Sequence, residues 1–211
     1  AALLCDAAHA RIKSRPVRRA TMPGHRLPVS DVLRPMPGHS LIIRAMSDSS
    51  PLFRLHADVD TRVGAIRDAR PDWPCSKGCD TCCRRLADVP RLTAAEWELL
   101  KEGLRGLDPQ RLLTIRDEVG TLARGATVPI VCPMLDRATG ACPVYAHRPV
   151  ACRTYGFYVQ RELGLYCSDI EARVAQGELA DVVWGNQDVI DRALAASGET
   201  RSLTEWFALT F

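Results

Sequence analysis

The chain has 211 residues, 46% of them hydrophobic and 25% charged, with a formal net charge of +3. A chain of this size can bury its own core without disulfide staples, and no apolar run approaches the roughly 18 residues that span a bilayer. Because no clear signal peptide is visible either, we expect a cytoplasmic protein without a membrane role.

Residues 1–45 form a basic segment that carries eight basic and two acidic side chains. Its five prolines interrupt helices and it lacks a sustained hydrophobic period, so we expect a disordered N-terminal extension. The sequence Met46-Ser-Asp-Ser-Ser resembles a natural start, and we favour the interpretation that the extension lies upstream of it. A nucleic-acid-binding arm and a transit peptide are the alternatives. Acidic side chains outnumber basic ones in residues 46–211, so we expect no nucleic-acid partner there.

Six helices are predicted between residue 51 and the C-terminus from hydrophobic spacing and capping residues. In chain order they are a helix over residues 51–69, one from the capping box of Thr93 and Glu96, one from Asp108 and Pro109 to about residue 123, one from Ser168, one over residues 181–196, and one from the capping box of Ser202 and Glu205. Strand signals are few: residues 128–131 and 141–145 flank a turn-like segment, which predicts one small hairpin. We therefore expect residues 46–211 to form a single, mainly α domain of about six helices with a small β-hairpin.

Eight of the nine cysteines fall into two blocks. The first block holds Cys75, Cys79, Cys82 and Cys83, and the second holds Cys132, Cys142, Cys152 and Cys167. On a helix the four thiols of the first block would share one face, whereas in a loop Cys79 and Cys82 would form a CxxC chelate. Gly78 allows a tight turn, so the sequence leaves both geometries open. Adjacent side chains point apart in regular structure, which raises the question whether Cys82 and Cys83 serve one centre or two.

The predicted hairpin would bring Cys132 and Cys142 close together, and we expect the two blocks to join into one site. Eight thiolates can bind two tetrahedral zinc ions, two iron-sulfur clusters, or one cluster beside structural thiols. We predict all eight cysteines as metal ligands, with an iron-sulfur cluster or zinc as the cofactor. A disulfide framework would leave Cys5 over and lacks an export signal, and a thioredoxin-like role for Cys79 and Cys82 lacks alternating strands and helices.

Charged and aromatic residues accompany both blocks. Five basic residues can balance the negative charge of a thiolate site, although each one alone is more simply a solvated surface residue: Lys77, Arg84, Arg85, Arg148 and Arg153. Five aromatic residues are expected to pack around the site and shield it from water: Trp73, Tyr145, Tyr155, Tyr158 and Tyr166. For His147 we favour a hydrogen bond that shapes its loop over metal ligation, and for Asp136 both interpretations stay open.

The cysteines stand in four ordered motifs: Cys75-x3-Cys79-x2-Cys82-Cys83, Cys132-Pro-Met-Leu-Asp136, Gly140-Ala-Cys142-Pro-Val-Tyr145, and Arg148-Pro-Val-Ala-Cys152-Arg-Thr-Tyr-Gly156. Over roughly residues 72–168 this order resembles the YkgJ-like cysteine-cluster family, whose CxxxCxxCC domain is described as zinc- or iron-chelating. The resemblance implies metal chelation by the cysteines. A related pattern occurs in bacterial flagellin lysine methylases, where an iron-sulfur cluster is implied, but this chain is much shorter and carries no other methylase signature.

Three hypotheses of function follow from the cysteines. The first is a metal-chelating protein that holds an iron-sulfur cluster or zinc ions and acts in metal or iron-sulfur chemistry or in electron transfer. The second is an iron-sulfur-dependent modification enzyme, for example in methyl transfer, so the sequence leaves open whether the protein is an enzyme. The third is a structural zinc module that presents a surface for protein interaction. Metal ions are the expected partners, and a protein partner stays open.

Overall fold

The computed structural model describes residues 50–161 and 163–211, so the expected extension over residues 1–45 and the start at Met46 lie outside the described residues. Within those ranges the chain forms seven α-helices: α1 (Pro51–Ala69), α2 (Ala94–Arg105), α3 (Pro109–Arg124), α4 (Val150–Thr154), α5 (Ser168–Ala175), α6 (Gln187–Leu194) and α7 (Leu203–Thr210). A 3-10 turn, Tyr145–His147, precedes α4. The five strands are β1 (Arg91–Thr93), β2 (Tyr158–Gln160), β3 (Leu163–Leu165), β4 (Gly185–Asn186) and β5 (Thr200–Ser202). The predicted class, mainly α with small β elements, is confirmed.

Helices α2 and α7 begin at the predicted capping boxes. The Thr93 hydroxyl accepts a hydrogen bond from the Glu96 backbone N–H, and the Glu96 carboxylate accepts one from the Thr93 N–H at 2.8 Å. Ser202 and Glu205 repeat this exchange at the start of α7. The Glu96 carboxylate is buried and its second oxygen accepts from the Val150 N–H at 2.9 Å. This second bond, which the sequence does not predict, ties the start of α4 to the start of α2.

Two small sheets join distant parts of the chain. Strand β1 pairs antiparallel with β5, and β2 pairs antiparallel with β3 and parallel with β4. The hairpin predicted over residues 128–131 and 141–145 is therefore wrong in its position, because the hairpin of this fold is β2–β3. Prolines at Pro129, Pro133 and Pro143 remove backbone donors from the segment that we expected to pair.

The predicted turn over residues 136–140 is present without flanking strands. The Gly140 N–H donates to the Asp136 carbonyl at 2.8 Å, and the Asp136 N–H donates to the Ala141 carbonyl at 2.9 Å. Ile130 forms an isolated antiparallel bridge with Leu86 instead of a strand.

The helix predicted over residues 181–196 begins only at Gln187. Residues Gly185 and Asn186 belong to β4, which lies beside the buried Tyr158 ring of β2. Asn186 then caps α6 by accepting hydrogen bonds from the Asp188 and Val189 N–H groups. Pairing with a distant strand thus overrides the local helical pattern at the start of this segment. Helix α4 is an addition to the six predicted helices, and at five residues it is too short for a periodic signal.

Apolar side chains form two cores. The first core comprises Leu52, Val59, Val63, Ile66, Trp73, Val150, Phe157, Tyr158, Ile170, Leu179 and Ile190. The second core comprises Leu92, Trp97, Leu100, Leu104, Ile115, Val119, Met134, Val144, Leu203 and Phe207. Cys75 and Cys167 pack against the first core, and Cys132 and Cys142 pack against the second. Among the described residues, no helix combines the length and apolar character that crossing a membrane requires.

Candidate metal centre

The first cysteine block is a series of turns, so the loop geometry is the one that the protein adopts. The Cys79 N–H donates to the Ser76 carbonyl at 3.0 Å, and Gly78 between them has φ +98°, in the left-handed region that glycine adopts without strain. One further turn follows, in which the Arg84 N–H donates to the Asp80 carbonyl at 3.0 Å. The four cysteines of this block thus lie in a segment of turns and not on a helix.

Backbone hydrogen bonds hold the second block against the first. The Cys132 N–H donates to the Cys83 carbonyl at 2.7 Å. Nearby, Leu86, which follows Cys83 in the chain, and Ile130, which precedes Cys132, exchange a pair of N–H to carbonyl bonds at 2.9 Å. These three bonds bring together the two parts of the chain that the sequence predicts to form one site.

Seven of the eight predicted ligands line a single cavity of about 750 Å³. They are Cys75, Cys79, Cys82, Cys83, Cys132, Cys142 and Cys152. Cys167 is absent from this lining and packs against the first core beside α5. All eight are free thiols, with Cys152 exposed and the others half-buried. The fold therefore gathers seven thiols from both blocks around one space, and Cys167 is outside its lining.

The adjacent thiols of Cys82 and Cys83 face the same cavity, with their Sγ atoms 4.0 Å apart. The expectation that neighbouring side chains point apart is limited to regular structure and does not apply here, because the segment is a turn rather than a helix or strand. Two thiolates on one tetrahedral zinc ion, each at about 2.3 Å from it, lie about 3.8 Å apart. The Cys82–Cys83 separation is close to that value.

Thiolates are favoured ligands of both zinc and iron, so the chemistry of the donor set fits either metal. Over residues 50–161 and 163–211, however, no three cysteine, histidine or carboxylate side chains are grouped closely enough to share one ion. Rotation about χ1 moves a thiol without disturbing the backbone. Chelation by this donor set therefore requires the thiols to rotate towards one another.

Burial and mutual contacts raise the pKa values of the thiols. Burial, with the charges of Cys79 and Cys82, raises the pKa of Cys75 to about 11. A hydrogen bond with Cys132, together with burial, raises the pKa of Cys83 to about 12. The pKa of Cys82 is raised by its hydrogen bond with Cys83 and by burial. Without a bound cation, these thiols therefore hold their protons at neutral pH.

Arginine side chains support the backbone of the cysteine segments. Arg67 donates from Nε and Nη2 to the Cys75 carbonyl at 3.3 and 3.1 Å. Arg148 stacks on Tyr145, 3.5 Å from the ring centroid, and donates to the Cys152 carbonyl at 3.4 Å. The sequence does not identify Arg67, because it lies on α1, outside both blocks, and only the tertiary fold brings it to the site.

Arg153 is not the solvated surface residue that the sequence favours. Its side chain is only 10% exposed and pairs with Asp60 at 2.9 Å. It also donates to the Arg148 carbonyl at 3.1 Å. By contrast, Arg84 is 44% exposed and pairs with Asp80 within its own turn, as expected of a surface residue. Lys77 lies 5.7 Å from the Tyr145 ring centroid.

The aromatic residues divide between the cavity and the first core. Tyr145 and Tyr155 line the cavity, whereas Tyr158 is buried in the first core. Tyr166 packs on Trp184, and Trp73 stacks on Phe157 at 5.7 Å between ring centroids. The predicted packing of aromatic rings around the site thus holds directly for the two tyrosines of the lining.

The two other candidate polar residues lie at loop positions. Asp136 accepts hydrogen bonds from the Ala138 N–H at 3.0 Å and the Thr139 hydroxyl at 2.7 Å, so it shapes the turn that precedes Cys142. His147 packs against Gly103 of α2, where a Cβ atom would come within 2.8 Å of the imidazole ring. Both contacts belong to the framework of the second block.

A mainly helical fold with eight free cysteines, seven of them around one cavity, defines a cysteine-cluster domain. Residues 74–174 match the model of the CxxCxxCC family, described as an inferred zinc- or iron-chelating domain. The chain is similar to this family, and the matched range contains all eight cysteines of both blocks. The resemblance drawn from the motifs is thereby confirmed. Comparison with curated proteins found no match, and comparison with solved structures found none either.

Proposed function

We propose that the eight clustered cysteines bind an iron-sulfur cluster or zinc. The protein uses this centre in metal or iron-sulfur chemistry or in electron transfer. The observation that carries the proposal is the meeting of seven thiols from two separate blocks in one cavity. Arg67, Arg148 and Arg153 line the same cavity and offer positive charge to an anionic thiolate centre.

The shape of the site favours a working centre over a structural zinc module. Structural zinc sites are closed by their four ligands, whereas these thiols surround a cavity of about 750 Å³ and Cys152 is exposed. The domain also has two apolar cores of its own, so its folding does not depend on metal alone.

When bound, an iron-sulfur cluster supplies one-electron transfer and zinc supplies a Lewis acid. The residues of the chain provide the setting for that chemistry. Arg67 and Arg148 fix the carbonyl groups of Cys75 and Cys152, which positions the backbone from which these thiols extend. Tyr155 and Phe157, which also line the cavity, reduce the access of water to the thiols.

Metal analysis of anaerobically purified protein tests the proposal. A brown protein with a broad absorption band near roughly 400 nm identifies the iron-sulfur form, and a colourless protein with stoichiometric zinc identifies the zinc form. Protein that holds neither metal after anaerobic preparation contradicts the proposal. Anaerobic handling matters because oxidised thiols no longer bind metal.

Single substitutions test whether both blocks contribute. We expect Cys79→Ser, in the first block, and Cys152→Ser, in the second, each to lower the metal content per chain, because each removes a thiolate from the donor set. Cys5→Ser is the matched control and should leave the metal content unchanged, since Cys5 lies outside both blocks. Unchanged metal in both test variants refutes the shared site.

The cavity also favours a second candidate, an iron-sulfur-dependent modification enzyme. Its volume of about 750 Å³ falls within the range of pockets that bind small organic molecules. If this candidate is correct, a methyl donor added to the anaerobic protein should change the absorption or EPR spectrum of the centre. A spectrum that stays unchanged with methyl donors removes this candidate and leaves the first one standing.

A further inference from the structure

A buried carboxylate outside the cysteine motifs joins helix α2 to the segment that carries Cys152. Glu96 is only 3% exposed. Its Oε2 atom accepts hydrogen bonds from the Thr93 N–H at 2.8 Å and from the Thr93 hydroxyl at 2.9 Å. Its Oε1 atom accepts from the Val150 N–H at 2.9 Å. One oxygen of Glu96 thus serves the start of its own helix, and the other serves the first residue of α4.

Helix α4 has no cap within its own segment. It is five residues long, and Pro149, which precedes it, makes no side-chain capping bond. The first N–H groups of any helix need acceptors from outside the helix. A helix of this length is also unstable by itself, because nucleation costs more than one turn of hydrogen bonds returns. The start of α4 therefore depends on the acceptor that Glu96 supplies.

Cys152 lies in the first turn of α4, and its backbone follows that turn. Its N–H donates to the Pro149 carbonyl at 3.0 Å, and its own carbonyl accepts from Arg148 at 3.4 Å. The next residue, Arg153, pairs with Asp60 of α1 at 2.9 Å. The exposed Cys152 belongs to the lining of the cavity. A displacement at the start of α4 therefore moves the Cys152 thiol relative to the other thiols of the cavity.

A second contact on the same face of α2 holds this segment. Glu96 and Gly103 are seven residues apart, which places them on one face two turns from each other. His147 packs against Gly103, where a Cβ atom would come within 2.8 Å of the imidazole ring. Helix α2 thus contacts the chain at His147 and again at Val150. The polar contact of the pair is the one made by Glu96.

We propose that Glu96 is a positioning residue of the metal centre, because its carboxylate holds the start of α4 and keeps the Cys152 thiol within reach of the other ligands. The inference rests on the proposed function and adds a residue that acts through the backbone. A carboxylate suits this role because the Thr93 and Val150 N–H groups that face it are both donors. Glutamine has one carbonyl oxygen, so in either orientation its NH₂ group opposes one of these two donors.

Glu96→Gln tests the proposal through the affinity for Zn²⁺. Full-length protein is purified anaerobically, stripped of metal and titrated with Zn²⁺ against a chromophoric chelator. We expect the variant to bind Zn²⁺ about 10- to 100-fold more weakly than the wild type, as is typical when a residue that orients a ligand is replaced. Equal affinities of variant and wild type overturn the inference.

Glu205→Gln is the matched control. Glu205 holds the same position in the capping box of α7 and accepts from the Ser202 N–H at 2.7 Å. It is exposed, and α7 carries none of the eight cysteines. This variant loses a comparable cap and should bind Zn²⁺ as tightly as the wild type. Equal losses of affinity in Glu96→Gln and Glu205→Gln assign the effect to capping in general and overturn the inference.

A double-mutant cycle separates positioning of Cys152 from a general loss of structure. If Glu96 acts through Cys152, adding Glu96→Gln to Cys152→Ser should leave the Zn²⁺ affinity nearly unchanged. Adding Glu96→Gln to Cys79→Ser should lower the affinity further, since Cys152 is still present there. Equal further losses in both backgrounds overturn the inference.

Alkylation of the metal-free protein by iodoacetamide, resolved by peptide mass spectrometry, provides a readout that needs no bound metal. Glu96→Gln should raise the rate at Cys152 several-fold, because local opening of α4 exposes its thiol, and should leave the rate at Cys79 unchanged. Glu205→Gln should change neither rate. An unchanged rate at Cys152, or equal increases at both thiols, contradicts the positioning role.

If Glu96→Gln fails to fold, as checked by circular dichroism, Glu96→Asp takes its place under the same outcomes. Aspartate keeps the charge of the cap but is one methylene shorter, so it cannot reach both N–H groups. A wild type that takes up neither Zn²⁺ nor an iron-sulfur cluster overturns the proposed function. A wild type that binds metal no more tightly than the Glu96 variant overturns only the role of Glu96.

Discussion

Arg67 and Arg148 donate their hydrogen bonds in the cysteine segments to carbonyl groups and not to sulfur atoms. Each donates to the backbone of a cysteine. This bond fixes the position of the cysteine Cα atom and leaves rotation about χ1 free. Since the thiols must rotate together to share an ion, this arrangement combines a fixed backbone with movable ligands. Replacement of either arginine by lysine would keep the charge but lose the forked donor.

His56 is a buried histidine of α1 whose Nε2 has no hydrogen-bond partner within the described residues. Burial, assisted by the nearby Arg153 charge, lowers the pKa of His56 from 6.5 to about 4. Between these values the unfolded chain takes up a proton that the folded chain does not. The free energy of unfolding should therefore fall as the pH drops from 6.5 towards 4, and this effect is absent above 6.5.

The His56→Leu variant measures that effect. Between pH 7 and pH 5 we expect the wild type to lose about 1 to 2 kcal/mol more unfolding free energy than the variant, after allowance for solvent screening. Urea denaturation at both pH values gives the difference. Because the same thiols titrate in both proteins, their contribution cancels in the comparison. Identical pH dependence of the two proteins contradicts the buried neutral state of His56.

At the scale of elements, strand β4 depends on the absence of a side chain at Gly185. A Cβ atom there would come within 2.4 Å of the Tyr158 ring, which is only 4% exposed and has no room to withdraw. Gly185→Ala should therefore separate β4 from β2 and lower the unfolding free energy by about 1 to 3 kcal/mol. The midpoint of urea unfolding is the measurement.

Gly120→Ala in α3 is the control for this change. A Cβ atom at Gly120 would meet only the Arg124 guanidinium at 3.6 Å, an ordinary contact. Alanine is also the better helix former, so this variant should be as stable as the wild type or more stable by about 0.5 to 1 kcal/mol. If both variants unfold at the same midpoint, the close approach at Gly185 does not constrain β4.

The elements that the sequence predicts correctly are those with local signals. Three helix starts are specified by signals that span no more than four residues: the capping boxes at Thr93 and Ser202 and the Asp108–Pro109 pair. Tertiary contacts do not alter these helix starts. Strand β4 depends on pairing with β2, which lies far from it in the sequence, and local pattern does not encode such a pairing. The incorrect hairpin over residues 128–145 has the same cause, since its apolar residues are used in the Leu86 bridge and in the second core.

At the scale of the whole molecule, the meeting of both cysteine blocks follows from their motifs, whereas the contacts of individual cysteines with the two cores do not. The spacing of the cysteines predicts a joint site, and the fold brings seven of them to one cavity. The packing of Cys167 against the first core and the contribution of Arg67 depend on how α1 and α5 pack. Long-range packing sets these positions, and the spacing of the motifs does not predict them.

Metal uptake by the domain should depend steeply on pH. The pKa values of Cys75 and Cys83 are raised to about 11 and about 12, so both thiols are protonated at neutral pH before chelation. Each thiol that binds metal releases a proton, so affinity should increase about tenfold per pH unit for each proton displaced in that range. Competition titrations with Zn²⁺ at pH 6 and pH 8 measure the slope.

Calorimetry in two buffers of different ionisation enthalpy counts the released protons independently. We expect the heat of binding to change between the buffers in proportion to that count. Equal heats and a pH-independent affinity would mean that the thiols are already ionised or are not the ligands. The Cys152→Ser variant should release fewer protons than the wild type.

The backbone bond from Cys132 to Cys83 and the Leu86–Ile130 bridge close a long loop that contains α2 and α3. Loop closure is an entropic cost that rises with the logarithm of loop length. In the folded chain the contacts of the second core and these bonds offset that cost. Side-chain rotation, which moves a thiol over such a closed loop, is faster than folding. Metal capture by the folded chain should accordingly be limited by proton loss and diffusion, and not by refolding.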